Sequence, residues 1–167
     1  GADSGNFTMT GVINSGLGAF TLVQNEEGMF NTACGAITLP SNTSGIGNTA
    51  CGCGVLASNT TGFGNNGFGI FSLCANKTGS GNTALGDYAL STNITGSYNI
   101  GVGIAAGANI NQGHYNICIG NEGHVNDSGI MRLGTTSTHT QCNIAGISNV
   151  TLNGSVVTID PTTDQLG

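Results

Sequence analysis

A glycine recurs at 17-residue intervals, from Gly11 through Gly28, Gly45, Gly62, Gly79 and Gly96 to Gly113. Asparagine holds the fourth place of every unit, from Asn14 to Asn116, and a second glycine the eighth, from Gly18 to Gly120. Three columns kept in register over seven units signal a stacked, quasi-one-dimensional architecture in which each unit touches only its neighbours. The seven repeats occupy 11–129. Residues 1–10 read as a partial repeat, because Gly1 falls at the eighth place, so the chain is expected to start inside a repeat of a longer protein. From 130 to 167 the period is lost, and that stretch reads as a separate capping segment.

Composition narrows what such a stack can do. Charged residues make up 6% of the chain, against about a quarter in an average soluble domain. Lys77 and Arg132 are the only Lys or Arg and the net charge is −6, so there is no basic patch for nucleic acid or an anionic membrane surface. No apolar run approaches the roughly 18 residues of a span, so no membrane insertion of this segment is expected. Tryptophan is absent and aromatics are 5%, which leaves only Ala, Val, Leu, Ile, Cys and a few Phe to fill an interior. A thin core repeated many times fits better than one thick core.

The unit from Gly79 to Thr95 is the clearest copy. Asn82-Thr-Ala-Leu85 alternates polar and small apolar residues as a short strand, and Gly86 allows a positive φ or a close backbone approach. Tyr88-Ala-Leu90 reads as a second short strand, followed by the turn-prone Ser-Thr-Asn93. Two strands of three to five residues and two turns would then make one rung. Rungs about 4.8 Å apart give seven a length of roughly 34 Å. Fourth-place asparagines should stack into an amide ladder, and Leu22, Leu39, Leu56, Leu73 and Leu90 should form a buried column. Gly107 and His124 break that column as the pattern fades. Beyond the repeats, Ile130–Gly134 and Thr138–Gly146 look strand-like, and Val150–Ile159 looks like a hairpin turning at Asn153-Gly154.

The units of form GNTALGxxALxxNxTG, seen from Gly81 to Gly96, resemble the head repeats of trimeric autotransporter adhesins, and equally repeats of phage tail-fibre and giant-virus fibre proteins. That resemblance implies a parallel left-handed β-roll or β-solenoid assembled as a homotrimer, although those heads have shorter coils. The stretch from Met131 to Ile147, with Asp164-Gln-Leu-Gly167 at the end, resembles the segment that precedes an endosialidase-type intramolecular chaperone. It implies a fibre matured by a chaperone that trimerises it and cleaves itself off. No catalytic residue carries over, because the chaperone itself is not matched.

Candidate chemistry is sparse. Six cysteines permit disulfides without requiring them. Cys34 and Cys51 share the seventh place with Leu17, Phe68, Leu85, Val102 and Ile119, where a buried small hydrophobe is expected. Cys51-Gly-Cys53 lacks zinc spacing. His114, His124 and His139 are the three imidazoles; on a threefold axis a histidine would occur three times, and His139 is the best placed, but no metal is assigned. Glu26-Glu27 reads as a solvated turn. Asn42, Asn59, Asn76 and Asn93 each begin an Asn-x-Ser/Thr sequon at the fifteenth place, as do Asn6, Asn126, Asn149 and Asn153 elsewhere; turn formation is one reading and a ladder of sugars the other. Gly45-x-Gly47-x-x-Ala50 lacks the βαβ context of a dinucleotide fingerprint, so no cofactor is assigned. No cluster of carboxylates suggests an enzyme.

The expected protein is an all-β homotrimeric solenoid with an intertwined C-terminal β neck at 130–167, extracellular or on a cell or virion surface. It would serve as the structural shaft or head segment of a fibre with a role in attachment, and a host-surface or glycan receptor would be its further partner. Trimerisation should leave both the Ala-rich and Leu columns dry. Two other readings stand beside this one. A dedicated receptor- or glycan-binding head should break the period and carry exposed aromatics, whereas the repeats keep one length. An ice-binding solenoid is suggested by the column Ser44, Thr61, Thr78 and Thr95, which Glu27 and Gln112 interrupt.

Overall fold

The computed structural model describes residues 9–136 and 138–140, together with the backbone of Ile159–Asp160 and Gln165–Leu166. The described repeats form an all-β parallel solenoid of about seven coils, and no helix occurs among the described residues. Each coil contributes one three-residue strand from its fifth to seventh places: β1 (Ser15–Leu17), β2 (Thr32–Cys34), β3 (Thr49–Cys51), β4 (Asn66–Phe68), β5 (Thr83–Leu85), β6 (Ile100–Val102) and β7 (Ile117–Ile119). They pair in chain order, all parallel, each residue opposite its copy in the next repeat, as Thr32 is opposite Thr49. The spacing read from glycine is therefore the strand register.

Places four, six, eleven, twelve and fifteen point inward. Ala33, Ala50 and Ala84 at the sixth place and Leu39, Leu56, Leu73 and Leu90 at the twelfth are at most 1% exposed, so both columns are already dry within one chain. Trimerisation is not needed to cover them. At the corners, two asparagine ladders replace apolar packing. The fourth-place amides are bonded rung to rung, Asn65 Nδ2 donating to Asn48 Oδ1 (3.1 Å) and Asn82 Nδ2 to Asn65 Oδ1 (3.0 Å). The fifteenth-place amides do the same, Asn59 Nδ2 donating to Asn42 Oδ1 (2.9 Å) and Asn76 Nδ2 to Asn59 Oδ1 (2.8 Å). The sequence pattern predicts only the first of these ladders.

Both ladders converge on the first-place glycine. The Gly62 carbonyl accepts from Asn48 Nδ2 (2.9 Å) and Asn59 Nδ2 (3.1 Å), and the Gly79 carbonyl from Asn65 Nδ2 (2.8 Å) and Asn76 Nδ2 (2.9 Å). That crowding explains the glycine. A Cβ on Gly62 would lie 2.4 Å from both Asn59 Oδ1 and the Gly79 carbonyl oxygen.

The second strand expected in each coil is absent. Tyr88-Ala-Leu90 is instead a turn with two residues in the left-handed region, Tyr88 at φ 59° and Leu90 at φ 51°. Every leucine of the twelfth-place column has φ between 50 and 52°, a cost of about 1–2 kcal/mol each. Full burial of the leucine side chain, about 1.5–3 kcal/mol, offsets it. A left-handed leucine reads as a strand residue in sequence because burial, not backbone preference, decides its place.

The interior is too narrow for rings, so the expectation that some Phe is buried fails: the described Phe residues, from Phe20 to Phe71, are all exposed. Where Gly107 interrupts the leucine column, Ile110 at the fifteenth place is fully buried and takes over the filling. The sheet also continues past the boundary drawn at 129/130. β8 (Met131–Leu133) pairs parallel with β7, but Cys118 faces Arg132 where the period calls for Thr135, so this coil is three residues short. The expected hairpin around Asn153-Gly154 lies outside the described residues. Beyond it, β9 (Ile159–Asp160) and β10 (Gln165–Leu166) pair antiparallel.

Gly62→Ala should destabilise the rod by about 3 kcal/mol or more, since the methyl must displace the next rung's backbone. Leu73→Asp should cost several kcal/mol by burying an unpaired charge. Chemical denaturation of both variants measures this. Losses no larger than those of an ordinary surface substitution, about 0.5 kcal/mol, would contradict the packing described.

Candidate functional site

The outer surface has a polar wall, an apolar sheet side, and between them a flank at places two and three where Ile13, Phe30, Phe63, Tyr98 and Tyr115 are exposed. On one side, places thirteen to seventeen present residues such as Gln24, Glu27, Ser41, Thr60, Lys77 and Thr92. The candidate ice-binding column lies here, with Thr61, Thr78 and Thr95 exposed and Ser44 half-buried. Glu26 and Glu27 are exposed at a bend, as a solvated turn should be. On the sheet side the seventh-place column faces outward. Leu17, Phe68, Leu85 and Ile119 are 37 to 68% exposed, and Cys51 is exposed with Cys34 half-buried. The expectation of a buried seventh place is thus wrong by one residue: alternation sends the sixth place inward, where the backbone admits only Gly, Ala or Cys118. Beside the strand, Phe20, Ile37, Ile70, Phe71, Tyr88 and Ile104 at places nine and ten extend the apolar surface.

The described cysteines are free thiols, and Cys142 lies outside the described residues. Cys34 and Cys51 are register partners on adjacent strands. Desolvation, and then the Cys34 thiol beside it, push the Cys51 thiol up. Cys118 is fully buried, and its thiol is raised first by burial and then by Asp127. No three His, Cys, Asp or Glu side chains converge as a metal site among the described residues. His114 and His139 are exposed, each accepting through Nδ1 from a backbone amide, of Ser97 (3.1 Å) and Thr135 (2.9 Å) respectively.

The sugar-ladder reading is corrected. Asn42, Asn59, Asn76 and Asn93 have no exposed surface, and each Nδ2 is already committed to an amide oxygen and a glycine carbonyl. No glycan could be attached there in the folded chain. Among the described sequon asparagines, Asn126 alone is exposed. The sequence signal for burial is the period itself, since surface sequons have no reason to recur with the core.

The last coil carries an ion pair and a concavity. Asp127 falls at the fifteenth place of the sequence period but stands where the other coils have the first-place glycine, its carbonyl accepting from Asn116 Nδ2 (3.0 Å), and at the strand's inward place Arg132 replaces a small residue. Arg132 donates from Nε to Asp127 Oδ2 (2.6 Å) and from Nη2 to Oδ1 (2.7 Å), with side-chain exposures of 27% and 8%. The His124 amide adds a bond to Oδ2 (2.9 Å). The Arg132 guanidinium, against the opposing effect of burial, holds the Asp127 carboxyl below the usual carboxylate range. The coil shortens between Gly120 and Glu122, where Asn109 N–H already bonds the Glu122 carbonyl (2.9 Å), and a notch of about 440 Å³ lies further along it, between Asn111, Gln112, Gly113, His114 on one rung and Val125, Asn126, Asp127, Ser128 on the next. Asn111 Oδ1 is out of solvent and has no hydrogen-bond partner. Next to His114, the rings of Tyr98 and Tyr115 stack nearly flat, 5.1 Å apart at 7°.

No family model, curated protein or solved structure matches this chain.

Because the Asp127 carboxyl is depressed on folding, its share of stability is complete above the unfolded carboxyl value of about 4 and is lost as pH falls through the folded value. Arg132→Met should cost about 2 kcal/mol at pH 7 and flatten this acid limb. Thermal melts of both proteins between pH 2 and 7 check it; parallel profiles would show that the pair contributes nothing.

Proposed function

We propose that the chain is a segment of an extracellular or virion-surface fibre, three copies of which associate along their sheet sides to form a stiff shaft that serves attachment. One observation supports this above others. Among the apolar residues that cannot enter the narrow core, those of the seventh place form an outward strip along the rod, from Leu17 through Phe68, Leu85 and Ile119 to Leu133, flanked by Phe20, Phe71 and Tyr88. Monomeric proteins rarely leave a contiguous apolar patch of more than a few hundred Å² open, and here it spans eight strands. The wall behind it carries Ser, Thr, Asn, Gln, Glu and Lys and is suited to solvent.

The need for association therefore moves from the Ala and Leu columns to the seventh-place column. Closed cyclic symmetry uses such a strip without leaving an open edge along it. The left-handed β-roll trimer and a neck at 130–167, as in the adhesin and fibre repeats that the units resemble, belong to this reading.

Light scattering at micromolar concentration should return three times the chain mass of 16.6 kDa. Leu85 is 51% exposed in the single chain, so Leu85→Asp should leave the β signal intact while weakening association by about 2 kcal/mol per chain. A monomeric mass for the unaltered chain, with its β signal intact, would remove the trimeric shaft.

A further inference from the structure

The outward apolar residues make two faces, not one. Beside the seventh-place strip with its ninth and tenth places, the flank of places two and three carries Ile13, Phe30, Ile46, Phe63, Tyr98 and Tyr115, 41 to 71% exposed. From the first coil to the sixth neither face holds Lys, Arg or Glu, and the Oδ1 of Asp87, the only carboxylate there, accepts from the Ile70 amide (2.7 Å). Copies of the chain can therefore meet on these faces without like charges opposing. A face about 34 Å long and about 12 Å wide offers roughly 400 Å². One partner in a specific complex buries about 800 Å². A chain reaches that area by giving one face to each of two neighbours, and a ring of three is built from two unlike faces in this way.

The faces also differ in relief. On the strip the rings lean back by one rung. A Cβ added at Gly54 would meet Cδ1 and Cε1 of Phe71 at 2.5 Å, so the Phe71 ring covers the third coil, and the Tyr88 ring follows 5.7 Å behind it, over the fourth. On the flank the Tyr98 ring leans back likewise over Gly81 of the fifth coil, 2.8 Å from a Cβ placed there. The third and fourth coils have no such ring. A Cβ at Gly47 would meet nothing within 4 Å, and one at Gly64 only the Gly81 amide nitrogen at 4.0 Å. The flank is thus recessed over two coils, with Phe30 below, Tyr98 above and exposed Ile46 and Phe63 alongside. These are the two coils over which the strip carries its paired rings. Within one chain the two features lie on different faces, so their match in height has a use only between chains.

On the reading of a trimeric shaft, on which this rests, we propose that the recess at Gly47 and Gly64 of one chain receives the Phe71–Tyr88 ring pair of the next. Chains related by rotation about an axis along the rod keep equal heights, which is the alignment that pair and recess need. The contact fixes the axial register of the three chains, which a uniform apolar strip would leave free to slide.

Sedimentation equilibrium of the full chain and its variants tests this. Rings are accommodated at the third place, where Phe30 has φ 58° and Tyr98 φ 59°, so Gly64→Tyr at φ 63° fills the recess in a backbone conformation that the column already uses. Gly64→Tyr should weaken trimer formation about tenfold or more, and so should Phe71→Ala. The double variant Gly64→Tyr/Phe71→Ala should be tighter than Gly64→Tyr alone by about threefold or more, because the ring lost from the strip makes room for the one gained on the flank. Gly129→Tyr is the control and should leave association unchanged. Gly129 stands in the same column with nothing within 4 Å of an added Cβ. The strip opposite it has no ninth or tenth place, since Gly107 N–H bonds the Asn121 carbonyl (2.8 Å) as Leu90 N–H bonds that of the eleventh-place Ala106 (2.9 Å). Circular dichroism confirms that each variant is folded; if Gly64→Tyr is not, Phe71→Ala decides, and undiminished association in it overturns the contact. A trimer unmoved by Gly64→Tyr, a double variant no tighter than Gly64→Tyr, or equal weakening by Gly129→Tyr overturns the contact and leaves the shaft standing. A monomeric mass for the unaltered chain removes both.

Discussion

Each rung is held by one carbonyl that two buried amides share. The first-place glycine oxygen receives Nδ2 from the fourth-place asparagine of the rung before and from the fifteenth-place asparagine three residues earlier, as Gly96 does from Asn82 and Asn93, both at 2.9 Å. A carbonyl has two lone pairs, and both are used. Each amide that bonds it is in turn bonded to its own copy one rung away. Moving any one member would strand several buried polar groups, at about 1–3 kcal/mol each. This constraint enforces the period: an inserted or deleted residue between the first and fourth places would break all three columns at once.

The rest of the molecule follows from how little room that frame leaves. With asparagine at two corners, apolar filling is confined to the small sixth place, the eleventh and the twelfth. Leucine reaches its place only by adopting a left-handed backbone, and aromatic rings have nowhere to go but outward. The surface thus inherits the apolar residues that a thicker core would have hidden. They fall on the strand at the seventh place, beside it at places nine and ten, and on the flank of places two and three, where Ile13, Phe30, Phe63 and Tyr98 are exposed. The opposite wall is made of turns whose hydroxyl and amide side chains bond the next rung's backbone, as Thr60 Oγ1 does to the Lys77 carbonyl. Association is thus tied to the same narrowness that gives the rod its straight core.

Much of this is legible in the sequence. Glycine spacing yields the register of every strand pair up to β7, the leucine column is the core, and the fourth-place ladder exists. The departures share a cause. Tyr88-Ala-Leu90 has the composition of a strand but the conformation of a turn, because sequence reports side-chain preference and not the sign of φ. Hydrophobic content draws Cys34 and Cys51 inside, whereas alternation turns them out; Ala33 and Ala50 beside them are the stronger sign, being the smaller. The fifteenth-place asparagines match a sequon so well that the match masks their burial. The short coil is hidden for another reason. Three residues are absent between Ile119 and Met131, and a deletion shows only against the register of the folded strands.

The ladders also have a direction, which bears on how the rod ends. From Asn42 to Asn93 each fifteenth-place amide donates to its N-terminal neighbour, so the last Oδ1 in the ladder is left without a copy to serve it. Ladder fifteen stops at Asn93, because Ile110 follows, and its Oδ1 is met only by Asn99 Nδ2 at 3.5 Å. Ladder four stops at Asn116, whose Oδ1 is taken by the Ile130 amide at 3.0 Å while its Nδ2 turns to the Asp127 carbonyl at 3.0 Å. The Ile130 amide repeats the bond that the Asn116 amide makes to Asn99 Oδ1 (3.0 Å), and the Asp127 carbonyl takes the part that a first-place glycine carbonyl plays in the other coils. The fourth-place ladder is therefore closed by the same backbone groups that every rung supplies, and only the amide-to-amide bond is lost at its end.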